Sequence, residues 1–218
     1  MDTSQMIENY PRLYHMAWGG SWGSIKKHGL LSTASLLELY NVPKIQSRQI
    51  LEEHRPESVE IDHPDFGTAV VRDQKPMTNN GVTKALGKTA TPQEWYSLLN
   101  SMVFFWPTKA RLKTMISARA YRGIVQDVLV VRTEPLVKKY ISELRLSPMN
   151  SGCTKPFPHP RSPAIFYSMN DYPFDERLKL LGKSHAVAEI CVRREVPDIQ
   201  NYVEKVISIK SEEFDNHF

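Results

Sequence analysis

His185-Ala-Val-Ala-Glu189-Ile-Cys-Val192 is a short apolar run with one carboxylate at its centre. Its brevity, its β-branched residues and its polar flanks predict a strand. Alternate side chains of a strand share a face, so Glu189 is expected to point with Val187 and Cys191. An ionised carboxylate in such company is costly unless a cation pairs with it or a reaction uses it. A nearby arginine or the sheet edge would account for it structurally. Leu13-Tyr14-His15, followed by a turn bearing Trp18 and Trp22 and then a helix, shifts the balance towards use.

The 218 residues are read as one domain over 1–210 and a flexible acidic tail over 211–218. Hydrophobic residues at 41% and charged residues at 24% exclude a disordered chain. No run approaches the ~18 apolar residues that span a bilayer. The first residues lack the basic start and apolar centre of a signal peptide. The expectation is a cytoplasmic protein with no membrane contact. Cys153 and Cys191 fit no zinc spacing, so no metal is expected. The net charge of +4 is uneven: residues 109–145 hold nine Lys and Arg against Asp127, Glu134 and Glu143. A basic stripe of this kind is either a solvated helix face or a surface for a polyanion.

Helices are expected at Ser21–Lys27, capped by Ser21 and stopped by Gly29, at Ser35–Tyr40 and at Ile45–His54. Residues 56–66 read as an acidic, Pro-containing loop, Thr68–Gln74 as a strand edge, and 76–90 as a Gly/Asn-rich loop. Thr91-Pro-Gln-Glu94 is a capping box that opens a helix to about Ser101. Val103–Trp106 is a buried strand, and Thr108 caps a basic helix that Gly123 closes. A strand at Asp127–Thr133 precedes a helix to about Leu144. Ser147–Pro163, with five prolines, is a loop long enough to be suspected of function. Strands are expected at Ala164–Met169, 185–192 and Lys205–Lys210, with short helices at Glu176–Leu181 and Asp198–Val203. Helices dominate early and strands late, with little βαβ regularity, which indicates an α+β fold.

The motifs that are absent narrow the chemistry. There is no Gly-x-Gly-x-x-Gly, no full Gly-x-x-x-x-Gly-Lys-Ser/Thr phosphate loop and no metal-binding His pair. His15, Arg72, the aromatic strand Phe104-Phe105-Trp106 and Glu189 remain. These types suit cleavage of a nicotinamide N-glycosidic bond, which passes through an oxocarbenium-like ribose. A carboxylate stabilises the developing positive charge, a histidine hydrogen-bonds a ribose, aromatic rings stack on nicotinamide, and an arginine binds pyrophosphate. Each also has a structural reading: a satisfied core histidine, core aromatics, a buried Tyr121 beside exposed arginines, and a turn at Asn150-Ser-Gly.

Tyr14-His15, then Trp22, Ile25 and His28-Gly29-Leu30-Leu31, resembles the opening of the ADP-ribosyltransferase superfamily. Within it the chain is most similar to the DarT-type DNA ADP-ribosyltransferases. Arg72, Phe104-Phe105-Trp106-Pro107, and Ala188–Val192 with Val196-Pro197 match further pieces in order. Glu94-Trp95-Tyr96 through Arg119-Ala120-Tyr121, then Asn150-Ser151-Gly152, also resembles an uncharacterised bacterial domain family near that superfamily. Two departures stand out: the superfamily's His-x-Thr is His15-Met16-Ala17 here, and the aromatic strand ends in Trp.

The resemblance implies an ADP-ribosyltransferase-like split β-sheet core with peripheral helices, and NAD as co-substrate. It implies Glu189 and Arg72 as catalytic residues, with Arg111 and Arg119 as rivals to Arg72. Tyr14, His15, Phe105, Trp106, Arg119 and Tyr121 would meet NAD, and Arg111, Arg122 and Asn150 the acceptor. With the basic stripe, the expected acceptor is nucleic acid, DNA or RNA, modified by a toxin or defence effector that has an antitoxin. The alternatives are a non-catalytic nucleotide- or nucleic-acid-binding module of the same fold and an RNA 2′-phosphotransferase-like enzyme.

Overall fold

The computed structural model describes residues 1–218 and has an α+β fold. Its strands are β1 (Arg12–Trp18), β2 (Leu30–Leu31), β3 (Val59–His63), β4 (Gly67–Val71), β5 (Met102–Phe105), β6 (Gln126–Arg132), β7 (Leu144–Ser147), β8 (Glu189–Arg193), β9 (Glu195–Val196) and β10 (Val203–Ile209). Two three-stranded antiparallel sheets form the centre, β1-β6-β10 and β5-β8-β7. The pairs β2–β9 and β3–β4 are small separate sheets. β6 is buried along almost its whole length, as expected of a Val/Leu-rich central strand.

Backbone hydrogen bonds join the two larger sheets at one residue pair. Tyr14 N–H donates to Trp106 O at 3.0 Å, and Trp106 N–H to Tyr14 O at 2.8 Å. Continued antiparallel pairing would next set Met16 against Phe104. That pair does not form. The Met16 carbonyl instead accepts from Arg72 Nη1 at 3.3 Å, and the Phe104 carbonyl meets His15 Nδ1 at 2.8 Å. Two side chains therefore satisfy the backbone groups stranded where the sheets part.

Most of the buried apolar residues of both sheets join one cluster that includes Leu13, Phe105, Leu129, Val131, Ile190 and Val192. The helices Thr33–Leu39 and Lys44–Glu52 close over hairpin β3–β4 around a separate cluster of Leu37, Tyr40, Ile50, Ile61 and Val71.

Several elements differ from expectation. Within 56–66, Val59 and Ile61 alternate with exposed Glu60 and Asp62, giving a strand of the hairpin. Within 76–90, Thr78 accepts from Gly81 N and opens the helix Asn79–Leu86, which buries Val82, Ala85 and Leu86. The helix after Thr108 ends at Ile116, well before Gly123. The helix from Thr133 stops at Tyr140, so Leu144 begins β7. Residues 164–169 contain a 3₁₀ turn and only one bridge, Tyr167 to Leu146. His185 and Ala186 lie in the short helix Lys183–Ala186, which puts Glu189 at the start of its strand. Ser21 makes no side-chain cap; Asp127 of β6 does that work, accepting from Trp22 N–H at 3.1 Å where the helix dipole favours a negative charge.

Residues 211–218 are not a loose tail. They form a 3₁₀ turn and the helix Phe214–His217, with Phe214 buried and stacked on Phe218. Lys113 pairs with Asp215, fixing this segment to the basic helix.

Gly29 ends the helix Trp22–His28 at φ +88° and ψ 170°, a region essentially closed to other residues. A Cβ there would stand 2.5 Å from Pro197 Cα. Gly29→Ala is expected to lower unfolding free energy by about 2 kcal/mol or more. Gly23→Ala, at the exposed second position of the same helix with open space around it, should raise it by a few tenths and at most ~1 kcal/mol. Denaturant titration of both variants distinguishes strain from helix propensity.

Candidate active site

The parting of the sheets opens a cavity of about 480 Å³, within the roughly 300–1,000 Å³ usual for small-molecule sites. β1 contributes His15, the residue after β4 contributes Arg72, and β5 with its extension contributes Phe104 and Trp106. Tyr121, the loop Asn150–Gly152 and Glu189 complete the walls used below.

Glu189 is only 4% exposed. Its Oε2 accepts from the Ser151 N–H at 3.0 Å. Burial pushes its carboxyl up to about 7; the Ser151 hydrogen bonds and the charges of Arg111 and Arg161 offset that only in part. His15 moves the other way. Burial lowers it to about 4, against the bond to the Phe104 carbonyl, and the Arg72 charge lowers it further. The imidazole is therefore neutral at neutral pH. With a carbonyl at Nδ1, the proton sits on Nδ1, and Nε2 is left as an acceptor. One cavity thus holds a carboxyl poised near neutrality and a neutral imidazole, an arrangement found where protons and charge are handled.

Arg72 is held on three sides. Nη1 donates to Gln126 Oε1 at 2.7 Å as well as to Met16, and the guanidinium lies over the Tyr121 ring at 5.1 Å. Tyr121 in turn donates to Asp73 Oδ1 at 2.8 Å. Arg72 Nη2 is buried and has no protein partner. A buried unpaired guanidinium nitrogen beside a cavity is a ready donor for an anion.

Some expected site residues lie elsewhere. Tyr14 faces away from the cavity, packing with Leu112 and Ile116 and edge-on to Phe218 at 5.8 Å. Phe105 is 1% exposed in the main core; its strand neighbours Phe104 and Trp106 reach the cavity. Arg111 does not line the cavity. It donates to Ser184 O at 2.9 Å and acts on Glu189 by charge. Arg119 and Arg122 are exposed and outside the lining, flanking buried Tyr121 in the chain. Asn150 is in the lining, with Oδ1 turned to the Gly152 N–H at 3.1 Å.

The basic stripe is not one free face. Lys113, Lys138 and Lys139 pair with Asp215, Glu134 and Asp198. Lys109, Arg111, Arg132 and Arg145 donate to backbone carbonyls. Arg119 and Arg122 alone of the nine make no such bond.

Ser151, Asp73 and Arg55 are site residues the sequence did not single out for a role. Arg55 donates to the Arg72 carbonyl at 2.7 Å and to Asn100 Oδ1 at 3.3 Å, fixing the backbone that carries Arg72. No cluster of three or more His, Cys, Asp or Glu side chains could hold a metal ion, and no helix is long and apolar enough to cross a membrane.

The chain belongs to the DUF7002 family, a family of unknown function whose model matches residues 11–203. That span includes every residue lining the cavity. No curated protein and no solved structure matches the chain.

The raised Glu189 carboxyl has a thermodynamic signature. Its folded value of about 7 exceeds its ordinary 4.5, so the folded state holds more protons between those values. The resulting stabilisation is complete below 4.5 and is lost as pH rises through 7. Glu189→Gln removes this dependence. The variant is expected to gain stability over the native chain as pH rises, reaching about 3 kcal/mol in alkaline solution. Urea unfolding of both proteins across this window checks it; parallel curves would put the carboxyl at its ordinary value.

Proposed function

We propose that this protein is an NAD-consuming mono-ADP-ribosyltransferase. The observation that carries the reading is the convergence of His15, Arg72 and Glu189, remote in sequence, on one cavity where two antiparallel sheets part. The two three-stranded antiparallel sheets that part beside the cavity give the reading further support.

Glu189 lies beside the nicotinamide ribose. The positive nicotinamide ring favours its ionised form, and the carboxylate stabilises the oxocarbenium ion that forms as the C1′–N bond breaks. Nicotinamide leaves with the bonding electron pair. The acceptor then bonds to C1′ and gives its proton to Glu189. His15 Nε2 accepts a hydrogen bond from a ribose hydroxyl, and Arg72 Nη2 donates to a phosphate oxygen or to the acceptor. Phe104 and Trp106 offer apolar surface for the nicotinamide, in place of Phe105. For nucleic acid as acceptor the support is narrower: Arg119 and Arg122, the two cations of the basic stripe that make neither an ion pair nor a bond to a carbonyl, flank Tyr121.

The test is incubation with labelled NAD and, separately, single-stranded DNA, duplex DNA, RNA and cell protein. Label is expected on one acceptor, with transfer falling by about 10²–10³-fold or more in Glu189→Gln. Activity should rise with pH and level off above the Glu189 value of about 7, because the reactive form is the carboxylate. Absence of nicotinamide release, with equal NAD binding by both proteins, would instead identify a nucleotide-binding module.

A further inference from the structure

Arg161 is 6% exposed, yet it makes no ion pair. Its guanidinium is given over to backbone carbonyls. Nε donates to His159 O at 3.2 Å, Nη1 to Asn150 O at 3.3 Å and Ser151 O at 2.9 Å, and Nη2 to Cys153 O at 2.8 Å. Its own N–H is anchored on Ala85 O at 2.9 Å. A buried cation without a carboxylate partner is costly to retain. What it accomplishes is geometric. Drawing the carbonyls of 150, 151 and 153 to one fork curls this loop, and the Ser151 N–H emerges at Glu189 Oε2. The loop is tied again by Thr154 N–H to Pro76 O at 3.0 Å.

We propose that Arg161 is a positioning residue for Glu189: it shapes the Asn150–Cys153 loop so that the Ser151 N–H meets the carboxylate, and it sets a buried positive charge behind that loop. This role rests on Glu189 being the reactive group of the proposed function, but its geometry stands apart from that reading. The other groups that face Glu189 are Arg111, from the helix Lys109–Ile116, and Cys191, on its own strand. Arg111 is held apart from that loop, on the Ser184 carbonyl at 2.9 Å. A lysine at 161 keeps the charge but offers one ammonium where four carbonyls are now served.

Arg161→Met and Arg161→Lys are each to be compared with the same variant carrying Glu189→Gln, by urea unfolding across pH. The difference within each pair isolates the Glu189 carboxyl. In Arg161→Met the alkaline end of its window should move up by about one pH unit, and in Arg161→Lys by less. In parallel, with NAD as the probe, kcat for nicotinamide release near neutral pH should fall about fivefold in Arg161→Met, with KM within about twofold. An unmoved window overturns the proposal, as does a raised KM at unchanged kcat. If Arg161→Met fails to fold, Arg161→Lys decides on the same two readouts. A moved window in a protein that releases no nicotinamide would uphold the positioning role and sink the transferase reading.

Discussion

The bond between His15 Nδ1 and the Phe104 carbonyl is the hinge of this structure. It occupies the place where a ladder bond to Met16 would continue, and so ends the pairing of β1 with β5 after Tyr14 and Trp106. Arg72 completes the arrangement by taking the Met16 carbonyl. A peptide group left without a partner inside a protein costs about 1–3 kcal/mol. The same two side chains thus make the parting of the sheets tolerable and furnish the cavity it creates. The bond also assigns the tautomer of His15, leaving Nε2 as the acceptor it offers a ligand.

Burial moves two titratable groups of the cavity, Glu189 and His15, in opposite senses. It disfavours charge in both, so the carboxyl of Glu189 rises and the imidazole of His15 falls. The outcome at neutral pH is a site whose positive charges are the guanidinium groups of Arg72 and Arg55, with a carboxyl that yields readily to a cationic ligand. Arg111 and Arg161 temper the rise of Glu189 from outside the cavity, where neither competes for space with a ligand.

Legibility in the sequence followed the range of the forces involved. The capping box at Thr91 and Glu94 and the Val/Leu strand around Val130 are local patterns that form as expected, and the apolar run around Glu189 forms a strand that begins only at Glu189. Hairpin β3–β4 was obscured because Glu60 and Asp62 decorate its exposed face and mimic an acidic loop. Parity along β1 and β5 separates Tyr14 from His15 and Phe105 from Phe104, but it does not say which set meets the cavity; the partner layers decide that. Asp127 caps a helix from a distant strand, and Arg161 binds carbonyls, which every residue has. Neither leaves a sequence signature.

β1 lies near the start of the chain, and both of its neighbours come far later: Tyr14 meets Trp106, and Leu13 meets Val131. Such pairings close long loops before any contact rewards them, which places this topology among slow folders. During synthesis the first strand emerges with an unpaired edge on each side and waits for both partners. β8 comes later still, carrying Glu189. The nascent protein therefore holds His15 and Arg72 long before it holds the carboxylate, and the cavity has its full lining only once β8 has been made.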